Sequence, residues 1–137
     1  AKTITFTWDR VLSLERNSAP FINYAYTRTR GILAKAGEVH EEADFRALTD
    51  PLERLLILQI GKFPAVFSES AENLKPEQIA SYANTLAEKF HEYYEKVNVV
   101  RAETAALRAA RLMLVRALRV VIANSMKVLG IGLSEKM

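Results

Sequence analysis

Phe21, Tyr24 and Arg28 sit at i, i+3 and i+7 of the segment Pro20-Phe21-Ile22-Asn23-Tyr24-Ala25-Tyr26-Thr27-Arg28-Thr29-Arg30. As a helix, that spacing stacks two rings and a guanidinium on one face. Such a face offers flat π surface to an unstacked nucleobase and a cation to a phosphate or a ring. The same spacing also suits ordinary packing, with Phe21 and Tyr24 in the core and Arg28 reaching out from its edge. Ile22, Ala25, Thr29 and Leu33 follow a second face, which is the expected core. A second group of cations lies near the end of the chain. At about 100° per residue, Arg101, Arg108, Arg116 and Arg119 fall within roughly an 80° arc. Arg111 falls instead among the leucines, so burial against a carboxylate is the favoured reading and a reach to an anion the other.

Bond-making chemistry has no visible machinery. The chain has no cysteine and two histidines, His40 and His91, which excludes thiolate chemistry and a histidine-rich metal site. Phosphate-binding glycine loops, HExxH and GxSxG are absent. The carboxylates of the middle segment are expected on solvated faces, and Tyr93-Tyr94 beside His91 is expected to pack. No catalytic, cofactor-binding or metal-binding residue is assigned.

The elements that must position these residues are helical. With 137 residues, 50% hydrophobic and 26% charged, the chain suits one globular domain with its own core. Glycine and proline are scarce, which argues against many short strands. No apolar run is long enough to span a bilayer and no signal peptide opens the chain, so the expected setting is cytoplasmic and away from membranes. The chain begins at Ala1 and is read as a fragment or a processed product. Lys2 to Trp8 alternates threonine with Ile4, Phe6 and Trp8, predicting a short extended segment with those three side chains covered. Helices are predicted from Asn17 or Ser18 to just before Gly37, from Pro51 through Ile60 with Leu52, Leu55 and Leu56 inward, and from Pro64 to Ala71. A longer one runs from Pro76 to about Lys96, with Ile79, Tyr82, Ala83, Leu86 and Phe90 inward. The last runs from about Ala102 to Leu129. The fold class is all-α, an antiparallel helical bundle of four to five main helices with a short extended N-terminal segment. Residues 1–16 are read as a linker and 17–137 as the helical domain.

Charge is unevenly spread: residues 1–37 carry a net +4, residues 38–100 a net −6 and residues 101–137 a net +5. If the two basic ends meet in space, the first helix and the last form one positive surface suited to a polyanion.

On these residues the chain resembles the C-terminal anticodon-binding domain of arginyl-tRNA synthetases, the helical DALR domain. Trp8-Asp9-Arg10, Leu12-Ser13 and the run Asn17 to Arg28 are similar to the family pattern WDRaLsfegNtaPYiQYahaR. Phe90-His91-Glu92-Tyr93-Tyr94 resembles its FhxFY segment. Arg111 to Val115, Val121 to Met126 and Leu129-Gly130-Ile131, ending at Glu135-Lys136-Met137, resemble its closing pattern. The resemblance implies recognition of the anticodon stem-loop of arginine tRNA, with Phe21, Tyr24, Arg28 and Met137 as the RNA-binding residues. Phe21 stands where the family has tyrosine and Asn23 where it has glutamine. An upstream catalytic domain of the same chain is implied as a partner. It would activate arginine with ATP and magnesium, and the fragment itself would hold no cofactor. A monomer is expected. The alternatives are a helical protein-interaction module or a free-standing RNA-binding adaptor.

Overall fold

Each long helix starts where a proline or a short polar side chain can receive it. The computed structural model describes residues 5–134 except Leu14, Arg16, Val39 and Glu41. Trp8–Val11 forms a single helical turn, α1. Helix α2 (Ala19–Ala36) is capped by Ser18, whose hydroxyl oxygen accepts from the Phe21 N–H at 3.2 Å. Gly37 ends it at φ 66, a left-handed backbone that glycine adopts without Cβ strain. After a 3₁₀ turn at Phe45–Ala47, α3 (Pro51–Gly61) opens on a reciprocal cap. There the Asp50 carboxylate accepts from the Leu52 N–H at 2.8 Å, and Glu53 accepts from the Asp50 N–H at 3.1 Å, satisfying two end donors together. Helices α4 (Phe63–Glu72), α5 (Glu77–Lys96) and α6 (Ala105–Val128) complete the order.

Side-chain contacts fix the helix directions. The Asn17 N–H donates to Asn84 Oδ1 at 2.7 Å, Phe21 packs on His91 and Arg28 lies over Tyr94, so α2 and α5 run the same way. Arg108 donates to the Ala36 carbonyl at 2.7 Å and Arg119 meets Tyr26, while Asn23 reaches the Gly132 carbonyl, so α2 and α6 run oppositely. The long excursion through α3 and α4 returns the chain to its starting end, which permits the parallel pair. The result is an all-helical bundle of five main helices, and no strand occurs among the described residues. None of those helices is long and apolar enough to cross a membrane.

The core matches the predicted α5 stripe: Ile79, Tyr82, Ala83, Leu86 and Phe90 are all buried. Ile22, Ala25 and Thr29 of α2 and Leu112, Val115, Leu118 and Ile122 of α6 meet them. Other expectations are corrected. Phe6 and Trp8 are 63% and 69% exposed, not covered, and Trp8 is helical rather than extended. No strand occurs among the described residues for them to join, and their rings meet each other edge to face at 5.2 Å; Ile4 lies outside the described residues. Leu55 is exposed, whereas Glu53 in the same helix is fully buried, so not every middle carboxylate is solvated. Arg111 explains the exception: its Nε donates to Glu53 Oε1 at 2.6 Å, and Nη1 donates to the Asn98 carbonyl at 3.2 Å. A neutralising partner is what lets a carboxylate enter a core. Helix α6 begins at Ala105, leaving Arg101 in the preceding loop and outside the expected helical arc.

Candidate nucleic-acid interface

Because α2 and α5 run alongside each other, the long side chains of Phe21, Tyr24 and Arg28 reach His91 and Tyr94 of the other helix. A cleft of about 310 Å³ results, lined by Phe21, Tyr24 and Arg28 from α2 and by His91, Tyr94 and Glu95 from α5. The Arg28 guanidinium lies 4.6 Å from the Tyr24 ring centroid and 4.3 Å from that of Tyr94. It also donates to the Tyr24 hydroxyl oxygen. Partial burial lowers the Arg28 pKa, but its hydrogen bonds to Tyr24 and Tyr94 outweigh this and hold it above the ordinary value. The cation is therefore permanent and held against two rings, positioned for an anion.

Below this layer, the His91 ring stacks on Tyr24 at 5.4 Å and 27°, and meets Phe21 at 4.8 Å. Phe21 is only 7% exposed. The expected free stacking face on Phe21 is thus corrected: its ring is the floor of the cleft, covered by His91, and only Tyr24 and Arg28 of the three stand partly exposed. Reading the helix by itself cannot tell floor from rim, because both lie on the face that α5 approaches. His91 and Tyr94 line the same cleft, which the motif spacing on α2 does not reveal. Their signal in the sequence is the Phe90-His91-Glu92-Tyr93-Tyr94 segment, whose aromatic spacing by itself points to packing.

His91 Nε2 is buried with no hydrogen-bond partner among the described residues. Burial pushes the His91 pKa below its ordinary value and the Arg28 charge adds to this, against opposing effects of the Phe21 backbone and Glu95. The unfolded chain therefore binds more protons than the folded chain between the unfolded value near 6.5 and the lower folded one. Stability should fall as pH drops through that window and level off below it. Urea midpoints measured from pH 7.5 to 5.0 check this, and His91→Gln should flatten the dependence.

The arginines of α6 do not share the face of α2 that carries Tyr24. Arg119 donates to the Tyr26 hydroxyl oxygen at 3.3 Å, and Tyr26 lies roughly 200° around α2 from Tyr24. Arg108 caps the C-terminus of α2 through Ala36, and exposed Arg116 approaches Met113. Arg108 and Arg119 therefore meet α2 away from Tyr24. Arg101 differs, because it borders a second concavity that shares Arg28, Tyr94 and Glu95 with the cleft. Met137 lies outside the described residues. The tail leading to it is held on α2: Ser134 N–H donates to Asn23 Oδ1 at 2.9 Å, and Asn23 Nδ2 donates to the Gly132 carbonyl at 3.3 Å.

Comparison with known proteins bears on this geometry. A family model described as the DALR anticodon binding domain matches residues 22–137. The arginine–tRNA ligase of Pyrococcus abyssi is 43% identical over 141 residues, covering 99% of this chain but 22% of that protein. That of Ignicoccus hospitalis is 42% identical, again over 99% of this chain and 22% of its own length. The solved Thermus thermophilus arginyl-tRNA synthetase superposes with a TM-score of 0.90 at 34% identity, over 99% of this chain and 24% of that one. The chain thus spans less than a quarter of each of these relatives.

Proposed function

This chain belongs to the DALR anticodon-binding domain family of arginyl-tRNA synthetases, and on that premise we propose that the α2–α5 cleft receives a base of the anticodon loop of arginine tRNA. The observation that carries the reading is the Tyr24–Arg28–Tyr94 stack at the mouth of an open cleft. A loop base is unstacked and can lie on an aromatic face, while its phosphate meets the guanidinium. Phe21 supports Tyr24 from below through His91. Met137 joins Tyr24 and Arg28 as a proposed contact, since Asn23 and Thr27 hold Ser134, three residues before it, on the same helix.

The parent protein would be an arginine–tRNA ligase, working in the cytoplasm as a monomer. Its upstream catalytic domain would attach arginine using ATP with magnesium, for which no residue of this chain is assigned. Residues 1–16 would then be the linker and 17–137 the RNA-binding domain. Exposed Phe6, Trp8 and Leu12 support contact between the linker and that upstream domain.

Titration with an arginine anticodon stem-loop and with an altered loop tests the reading. Binding should be weak, roughly micromolar or weaker at physiological salt, and tighter for the arginine loop. Equal affinity for both overturns base recognition. Arg28→Ala should reduce the slope of log affinity against log salt by about one; an unchanged slope removes Arg28 from the phosphate contacts.

A further inference from the structure

Beyond Arg28 the cleft opens into a larger groove of about 680 Å³, between the second half of α2 and residues 94–101. Four cations border it, Arg28, Lys35, Lys96 and Arg101, against the single carboxylate of Glu95. Lys96 is already paired with Glu92 at 2.7 Å. Lys35 and Arg101 are exposed and form no ion pair with a described residue. Lys35 stands seven residues beyond Arg28, about 10 Å farther along the helix axis. A row of cations spread along a groove suits a chain of phosphates better than one isolated anion.

The groove is also built to hold its shape. Ile32, Val97 and Val99 form a buried apolar floor, and Gly31 leaves the α2 wall open, with nothing within 4 Å of where a Cβ would stand. The loop carrying Arg101 is fastened at its start and turned back on Asn98. The Val97 N–H donates to the Tyr93 carbonyl at 2.8 Å, the Arg101 N–H donates to Asn98 Oδ1 at 2.9 Å, and Arg111 holds the Asn98 carbonyl.

We propose that this groove binds the sugar–phosphate backbone leading away from the base held at Tyr24, with Lys35 and Arg101 on phosphates of that backbone and Arg28 joining groove to cleft. The inference rests on the anticodon-loop reading of the adjoining cleft. RNA is the fitting polyanion because Arg28 lines both concavities, so one continuous ligand can present a ring to Tyr24 and phosphates to the groove. An acidic peptide offers the charge but nothing for the aromatic mouth.

The test is a salt titration of an arginine anticodon stem-loop against the 137-residue chain and Lys35→Gln/Arg101→Gln, read by fluorescence anisotropy. The slope of log affinity against log salt should fall by about 1.5 to 2, while the preference for the arginine loop over an altered loop is kept. Lys35→Arg/Arg101→Lys should restore the slope. Lys35→Gln by itself, on an exposed helix position, should give about half the change and serves if the double variant does not fold. An unchanged slope in folded variants overturns the groove, as does a charge-dependent loss for polyglutamate with none for the hairpin. Failure of the underlying reading looks different. A chain that binds both loops equally yet keeps the Lys35 and Arg101 effect loses base reading and retains the groove. Absence of any hairpin binding overturns both.

Discussion

Arg111→Ala should lower folding stability by about 3–5 kcal/mol, the largest effect expected of any single polar replacement in this chain. The substitution leaves Glu53 wholly buried with only the Asp50 N–H as a described hydrogen-bond donor, and an uncompensated carboxylate in a core is costly. The damage should spread, since Arg111 also ties the 97–104 loop through Asn98. Buried Tyr93 stands near the same pair, and burial pushes its hydroxyl pKa well above the ordinary value, with the Glu53 charge adding to the shift. Urea denaturation of Arg111→Ala, Glu53→Gln and the double variant checks the argument. The double variant should be markedly more stable than the two single losses predict, because the neutral amide introduced by Glu53→Gln removes the stranded charge. A loss below about 1 kcal/mol for Arg111→Ala would mean that the pair behaves like a surface ion pair. In the folded population any change in the salt dependence of RNA binding should come through the loosened loop that carries Arg101, since Arg111 itself is committed to Glu53.

Tyr24→Ala should weaken binding of the arginine anticodon loop by about 1–3 kcal/mol, the usual contribution of one base–aromatic stack, or roughly 5- to 150-fold. Preference over an altered loop should shrink with it. The fold should survive, because Tyr24 is partly exposed and rests on the bundle rather than inside it. A stability loss like that of a core truncation, about 3 kcal/mol or more, would reassign Tyr24 to packing. Phe21→Ala makes the contrast: with its ring nearly sealed against His91, its cost should fall first on stability and on loop binding only through the loosened cleft.

The comparison of Tyr24 with Phe21 shows how far the sequence reaches. Ser18 before α2, Asp50-Pro51 before α3 and Gly37 after α2 each act within about one turn of their own position, so helix ends were legible from composition and spacing alone. So were the fold class, the buried α5 stripe, the segment bearing Tyr24 and Arg28, and the expectation that Arg111 finds a carboxylate. Three further matters belong to the tertiary structure: which carboxylate Arg111 meets, which side of α2 receives α5 and which receives α6, and therefore that Phe21 is floor and Arg119 faces away. Glu53 and Arg111 lie far apart in the chain, as do Tyr24 and His91. A helical period gives the angle between two residues on one helix, whereas their burial depends on where a second helix approaches. That approach is set by the packing of the whole bundle, and no local stretch of residues encodes it.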